Sequence, residues 1–268
     1  MSSIILNHKP IVLIDTSYYI FFRYFATLKW CGFQKKEFDI ETIHLNEEFL
    51  SYFHKHFQND IKKITKKWKT ISSNIYLSCD CPKTSIWRHS IYSSYKSNRT
   101  SNSNFTLDCF HTLKDSITNY TKFFSESLEA DDIIAILHKK IRTINSKYPI
   151  IIITNDNDYL QLSDDNTSIF NMQFKDIVER SQFDSPDKNL FFKIVLGDKS
   201  DNIPKITSIK KSEIEKITNK SKEERDNWIE KSDFKELYYK NLQLISFDYI
   251  PNDLKERFLE KVTISKND

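Results

Sequence analysis

Three short runs of β-branched and apolar residues in this chain each give way to aspartate. Ile11-Val12-Leu13-Ile14 leads to Asp15, Ile75-Tyr76-Leu77-Ser78-Cys79 to Asp80, and Ile150-Ile151-Ile152-Ile153-Thr154-Asn155 to Asp156 and then Asp158. Runs this short and this apolar predict strands buried on both faces of a parallel sheet. Helical patterns lie between them, so the fold class is α/β, a mainly parallel central sheet flanked by helices. Ligands of such sheets bind beyond the carboxyl ends of the strands. The pattern therefore sets Asp15, Asp80, Asp156 and Asp158 on the one edge where chemistry is expected. Two further acidic groups join them. Leu128-Glu129-Ala130-Asp131-Asp132 opens a helix, and Asp198 and Asp201 follow Leu196-Gly197. Acids favour a helix N-terminus, so the Glu129 turn alone reads equally well as a charged cap. Taken together, so many carboxylates on one edge repel one another unless hard cations neutralise them. Oxygen ligands without a His or Cys cluster point to Mg²⁺ or Mn²⁺.

Other chemistries are excluded by composition. The 268 residues contain two glycines, Gly32 and Gly197, too few for a P-loop or a dinucleotide fingerprint. The four cysteines, Cys31, Cys79, Cys81 and Cys109, form no C-x-x-C and read as reduced structural thiols. No signal peptide or membrane-length apolar run is present, so a soluble cytoplasmic protein without membrane contact is expected. Net charge is only +3, but it is unevenly spread. Between Cys81 and Leu107 there is no acid, while Lys83, Arg88, Lys96 and Arg99 fall inside. The polarity suggests a metal-binding pole and a phosphate-binding pole. A second basic run, Lys62, Lys63, Lys66, Lys67 and Lys69, lies on an amphipathic pattern spanning 45 to 68 and reads as the solvated face of a helix.

In chain order, Thr16 or Ser17 is expected to cap a helix reaching about Lys29. Residues 31–44 read as an irregular link, and 82–104 as a segment long enough to be functional. A helix is predicted from Asp108 to Phe124, another from Ala130 to about Thr143, a helical turn at 157–162 and a strand at 167–171. Helices follow at 188–196, within 202–218, at 221–231 and at 233–241. The tail from Tyr249 is expected to fray.

The ordered set of motifs resembles the flap endonuclease and 5′-3′ exonuclease family. It runs Asp15, Asp80, Trp87-Arg88-His89, Tyr95-Lys96-Ser97-Asn98-Arg99, Glu129-Ala130-Asp131-Asp132, Thr154-Asn155-Asp156-Asn157-Asp158 and Leu196-Gly197-Asp198-Lys199-Ser200-Asp201-Asn202-Ile203-Pro204. The stretch from Tyr239 to Pro251 is similar to the ribonuclease H subgroup of T-even phages in particular. The resemblance covers roughly residues 10 to 255; each motif is weak alone and the ordered set is specific.

The resemblance implies a PIN-like 5′ nuclease core over 1–180, with a helical arch at about 82–107, and a helical region over 181–268 that carries a helix-turn-helix-like duplex-binding segment. It implies two Mg²⁺ or Mn²⁺ ions. Asp15, Asp80, Glu129 and Asp131 match the first metal site, and Asp132, Asp156, Asp158, Asp198 and Asp201 the second. Arg88, Lys96 and Arg99 match phosphate-holding residues at the base of the arch, Tyr95 a base-stacking aromatic, and Ser101 to Asn104 a mobile part of the arch. The implied reaction is hydrolysis of phosphodiesters in 5′-ended or 5′-flapped duplex DNA and RNA–DNA hybrids during replication and repair. The implied protein is a monomer acting beside a polymerase, a single-strand binding protein or a sliding clamp, in the host cytoplasm if viral. One departure stands out. Lys205, Ser208 and Lys210 occupy positions where the family's duplex-binding turn has glycines, and close backbone approach to phosphate is harder without glycine. Lys205, Lys210 and Lys211 are then candidates for that grip, and no bound potassium ion is assumed. Two alternatives remain: a PIN-type ribonuclease acting on single-stranded RNA, and a structure-specific DNA-binding module without catalysis.

Overall fold

The computed structural model describes residues 2–99 and 105–266. In chain order the elements are β1 (Ser2–Leu6), β2 (Ile11–Asp15), α1 (Thr16–Phe33), α2 (Glu47–Trp68), β3 (Ile75–Ser78), α3 (Leu107–Ser116), β4 (Thr121–Phe123), α4 (Ala130–Ile144), β5 (Ile150–Ile153) and β6 (Thr167–Phe170). There follow α5 (Pro186–Leu196), α6 (Lys211–Thr218), α7 (Lys222–Glu230), α8 (Lys235–Ile245), α9 (Asn252–Leu259) and β7 (Val262–Lys266).

The central sheet has the order β4-β3-β2-β5-β6, and every pair in it is parallel. Its two faces are built by strict alternation. Ile11 and Leu13 of β2 and Ile150 and Ile152 of β5 pack with Ile133, Ile134, Leu137 and Ile141 of α4. Val12, Ile14, Ile151 and Ile153 turn the other way, toward Tyr19, Ile20 and Tyr24 of α1 and Phe49, Phe53, Phe57 and Ile61 of α2. At about 1.5–3 kcal/mol for each large side chain taken from water, this double burial fixes the register, because a one-residue slip would exchange the faces. β3, β2 and β5 are adjacent and parallel, so their carboxyl ends meet on one edge. That is the constraint that assembles the site.

The helical C-terminal region is tied to the core through the segment after β3. Cys81, Ile86 and Tyr95 share a cluster with Ile194 of α5, Ile203, and Leu244 and Ile245 of α8. In its described part, residues 82–99, the expected arch contains two 3₁₀ turns, Lys83–Ser85 and Trp87–Ser90, and no α-helix. Ile86, Trp87, Arg88 and Tyr95 are buried in packing, while Lys83, Ser97, Asn98 and Arg99 are exposed. The stretch Ser101 to Asn104 lies outside the described residues.

Three boundary expectations are corrected. The α1 cap is Asp15, whose carboxylate accepts the Tyr18 N–H at 3.1 Å, and the helix continues to Phe33. The single helix predicted from Asp108 to Phe124 is two elements. α3 stops at Ser116, and the β-branched run that follows supplies β4, an edge strand paired with β3. The tail from Tyr249 is ordered as far as Lys266, and the last two residues lie outside the described ones. It forms α9 and then β7, which pairs in parallel with β1 in the register Ser2↔Val262 to Leu6↔Lys266. Ile4 and Leu6 are fully buried by this pairing, a long-range contact that no local pattern announces.

Candidate active site

Asp15 ends the central strand β2, Asp80 stands two residues beyond β3, and Asp156 three residues beyond β5. Adjacent strands lie ~4.8 Å apart, so strand ends alone bring these carboxylates into one row. Asp131 comes from the first turn of α4, whose N-terminus is aimed at the same edge: the Ala130 N–H donates to Asp80 Oδ1 at 2.8 Å. Together with Asp198 they line a cleft of about 490 Å³, shared with Ser17, Glu129, Lys96, Arg99, Thr154, Tyr159 and Lys193.

The electrostatics divide the acids into two groups. Among the described residues Asp15 receives only neutral donors: Tyr18 N–H, Thr154 Oγ1 at 3.3 Å and the Tyr159 hydroxyl at 3.2 Å. Burial, reinforced by Asp80 and Asp156, pushes its carboxyl up to about 7. Asp131 is driven well above the carboxylate range by burial and then by Asp132. Desolvation in the cleft also raises Asp156, more than Lys193 lowers it. Two unit charges ~5 Å apart repel by about 3 kcal/mol at an effective dielectric near 20, so this row is costly as bare anions. An all-oxygen donor set held at that cost fits a hard divalent cation.

The second group carries its own cations. Glu129 receives Arg88 Nη1 at 2.9 Å, the Tyr95 hydroxyl at 3.1 Å and the Lys96 ammonium. These partners outweigh its burial and hold it below the ordinary range. Asp201 receives Tyr95 at 2.9 Å and the Arg99 guanidinium. Asp158 and Asp198 share Lys193, whose Nζ is 2.8 Å from Asp198 Oδ2 and also bonds Asp158 Oδ1. Burial alone would raise Asp198, yet Lys193 and Ser200 bring it down to about 2. One carboxylate oxygen from each of Asp158, Asp198 and Asp201 lies within 4.8 Å of the others, and the same holds for Glu129, Asp131 and Asp132.

Several expected roles change. Asp132 is wholly buried and faces away from the cleft opening. Its oxygens accept both Arg88 amino groups, Trp87 Nε1 at 2.8 Å and, through the capping box, Glu129 N–H at 3.1 Å. Three of these bonds fall on Oδ2 and one on Oδ1, so Asp132 is occupied chiefly by Arg88 and the capping turn. Arg88, expected to hold phosphate, is 2 % exposed and is used up on Asp132, Glu129 and the Leu244 carbonyl. Tyr95, expected to stack on a base, is 3 % exposed with its hydroxyl between Glu129 and Asp201. Lys96 and Arg99 do line the cleft. Lys96 has left-handed backbone, φ +55°, pinned by its N–H to the Asp201 carbonyl at 2.9 Å. Lys205, Lys210 and Lys211 are exposed around the turn between α5 and α6, apart from the cleft.

Sequence reasoning passed over Lys193, Ser17, Thr154 and Tyr159. Lys193 carried a signal, as the one charge inside Leu190-Phe191-Phe192-Lys193-Ile194-Val195. The hydroxyls carried none, because a Ser, Thr or Tyr near a strand end is ordinary.

Residues 10–187 match the family model of the 5′-3′ exonuclease N-terminal, resolvase-like domain. The chain belongs to the 5′-3′ exonuclease family. Among relatives of this family, the ribonuclease H of Enterobacteria phage T4 is 30% identical over 224 residues, spanning 73% of this chain and 72% of the phage protein. A 5′-3′ exonuclease of Mycoplasmopsis pulmonis is 28% identical, covering 75% of this chain and 63% of its own length. In fold the chain is similar to the bacteriophage T5 D15 flap endonuclease, solved with DNA and metal ions. That likeness has a TM-score of 0.67 at 19% identity, over 94% of this chain and 97% of the T5 protein. Family membership makes this chain a 5′ nuclease. Among the described residues no helix is long and apolar enough to cross a membrane.

Proposed function

We propose that the cleft hydrolyses phosphodiesters of 5′-flapped and 5′-ended duplexes, DNA or RNA–DNA hybrid, with two Mg²⁺ or Mn²⁺ ions, in the cytoplasm during replication. The observation that carries this reading is the row Asp15–Asp80–Asp131–Asp156, in which burial raises Asp15, Asp131 and Asp156 and none of the four forms an ion pair among the described residues, beside Lys96 and Arg99 in the same cleft. Asp15, Asp80, Asp131 and Asp156 would hold one ion; Asp158 and Asp198, with Asp201 behind them, the other. Such ions supply an activated water and stabilise charge on the scissile phosphate and the leaving oxygen.

The chain's own residues do the rest. Ser17, Thr154 and Tyr159 fix the carboxylate rotamers of Asp80 and Asp15 by donating to them. Lys96 and Arg99 each neutralise an acid in the resting site and are partly open to the cleft, so an entering phosphate exchanges for a carboxylate as their partner. Arg88, Trp87 and Asp132 hold the Glu129 turn against α8 and touch no substrate. The exposed Lys205, Lys210 and Lys211 reach a more distant duplex phosphate by side chain rather than by backbone. The residues of 1–180 would then form the nuclease core and 181–268 the duplex-binding region.

The test is Asp156→Asn. Cleavage of a 5′-flap duplex should be abolished while flap affinity stays within a few-fold of the parent. Undiminished cleavage by this variant would remove the cleft from the reaction.

A further inference from the structure

Lys193 is a residue that the family's acidic motifs do not account for, and its position is unusual. It projects from α5, whose Phe191, Phe192, Ile194 and Val195 are buried around it. Its side chain is 21% exposed and lines the cleft. Its ammonium bonds Asp158 Oδ1 and stands 2.8 Å from Asp198 Oδ2. One carboxylate oxygen from each of Asp158, Asp198 and Asp201 lies within 4.8 Å of the others, which is the spacing of donors around a single small cation. The first row differs. Neither Asp15 nor Asp80 forms an ion pair among the described residues, and the donors they accept from there are hydroxyls and backbone N–H groups. The acids of the proposed metal cleft are thus neutralised unequally.

We infer that Lys193 is the internal counter-ion of the second metal position, holding Asp158 and Asp198 together until a divalent cation displaces its ammonium. The inference rests on the two-ion reading of the cleft and adds to it an order of filling. An ion entering the Asp15–Asp80–Asp131 row displaces no cation and relieves repulsion among desolvated carboxylates. An ion entering between Asp158 and Asp198 must expel a bound ammonium first, so its apparent affinity is reduced by the strength of that pairing. The released ammonium stays tethered at the cleft wall, where its charge is available to a phosphate bridging the two positions. Lys193 is by this argument a positioning residue in the resting enzyme. It sets the divalent concentration at which the second position fills.

The experiment is Mn²⁺ binding to the full chain without nucleic acid, followed by titration calorimetry. The parent is compared with Lys193→Met and Lys193→Gln; the second variant guards against poor folding of the first, and circular dichroism confirms both. The parent should show one tight and one weak class of site. Both variants should strengthen the weak class at least tenfold and leave the tight class within twofold. A weak class that is unchanged or weaker in folded variants overturns the role of Lys193, while Mg²⁺-dependent flap cleavage by the parent would leave the nuclease reading standing. Absence of any saturable Mn²⁺ binding to the parent overturns both.

Discussion

Removing Arg88 separates a structural role from a phosphate-binding role. In Arg88→Met a side chain of similar length replaces a guanidinium that is 2 % exposed and stacked 4.6 Å from the Trp87 ring centroid. Three charge-assisted bonds to Glu129 and Asp132, of 2.8 to 2.9 Å, disappear with the bond to the Leu244 carbonyl. Asp132 keeps Trp87 Nε1 and the Glu129 N–H but loses the only cation that touches it among the described residues. Breaking a buried pair by deleting one partner costs about 3–5 kcal/mol, because the other charge stays buried. With an unfolding entropy of ~2 cal/mol/K per residue, the melting temperature of a chain this size should fall by about 5–9 °C. The assay is thermal and urea unfolding without metal or nucleic acid. The double variant Arg88→Met/Asp132→Asn should recover much of the loss, since it removes the stranded charge. A melting temperature within 1 °C of the parent, together with a raised KM for flap substrate, would refute the reasoning and restore Arg88 to the substrate.

Two other outcomes follow from the same structure. His138 is buried against Thr167, and burial, with Arg142 beside it, lowers its pKa from 6.5 to about 4. The unfolded chain then takes up a proton below pH 6.5 that the folded chain refuses until about pH 4, so this contribution is intact above 6.5 and lost as pH falls through that window; by pH 4.5 the loss is about 2–3 kcal/mol. Urea unfolding of the parent and of His138→Gln at pH 7.5 and 4.5 should show the smaller pH penalty in the variant, and equal penalties would contradict the burial argument. Gly197 has φ +68°, and a Cβ there would lie 2.4 Å from the Ile203 carbonyl oxygen, so Gly197→Ala must push apart the loop that carries Asp198 and Asp201. Cleavage should drop at least tenfold, and unchanged cleavage would show that the loop's position does not matter.

The sheet edge was legible because strand burial and strand-end aspartates are both local patterns, and two-sided burial leaves few alternatives. That is why Asp15, Asp80 and Asp156 could be placed on one edge before any fold was known. Asp132 was not separable from Asp131 by sequence. Both open α4, and only the helix rotation, one turning into the cleft and the other onto Arg88, distinguishes them. Arg88 and Tyr95 read as phosphate-holding and base-stacking residues because an acid-free, serine-rich stretch looks exposed. The packing partners that bury them, Ile194, Ile203 and Leu244, lie about a hundred or more residues away. The β1–β7 pairing was hidden for the same reason. Lys193 left a signal as a lone charge in an apolar run, but one easily passed over, since a single lysine on an apolar face is ordinarily a side chain reaching for solvent.

The most direct test of the central claim is cleavage of a 5′-labelled flap duplex in Mg²⁺ and in EDTA, with unstructured RNA as a parallel substrate. The account predicts metal-dependent cutting near the junction of single strand and duplex, abolished by EDTA and by Asp131→Asn. Cutting that persists in EDTA, or that acts on the unpaired RNA alone, would contradict it.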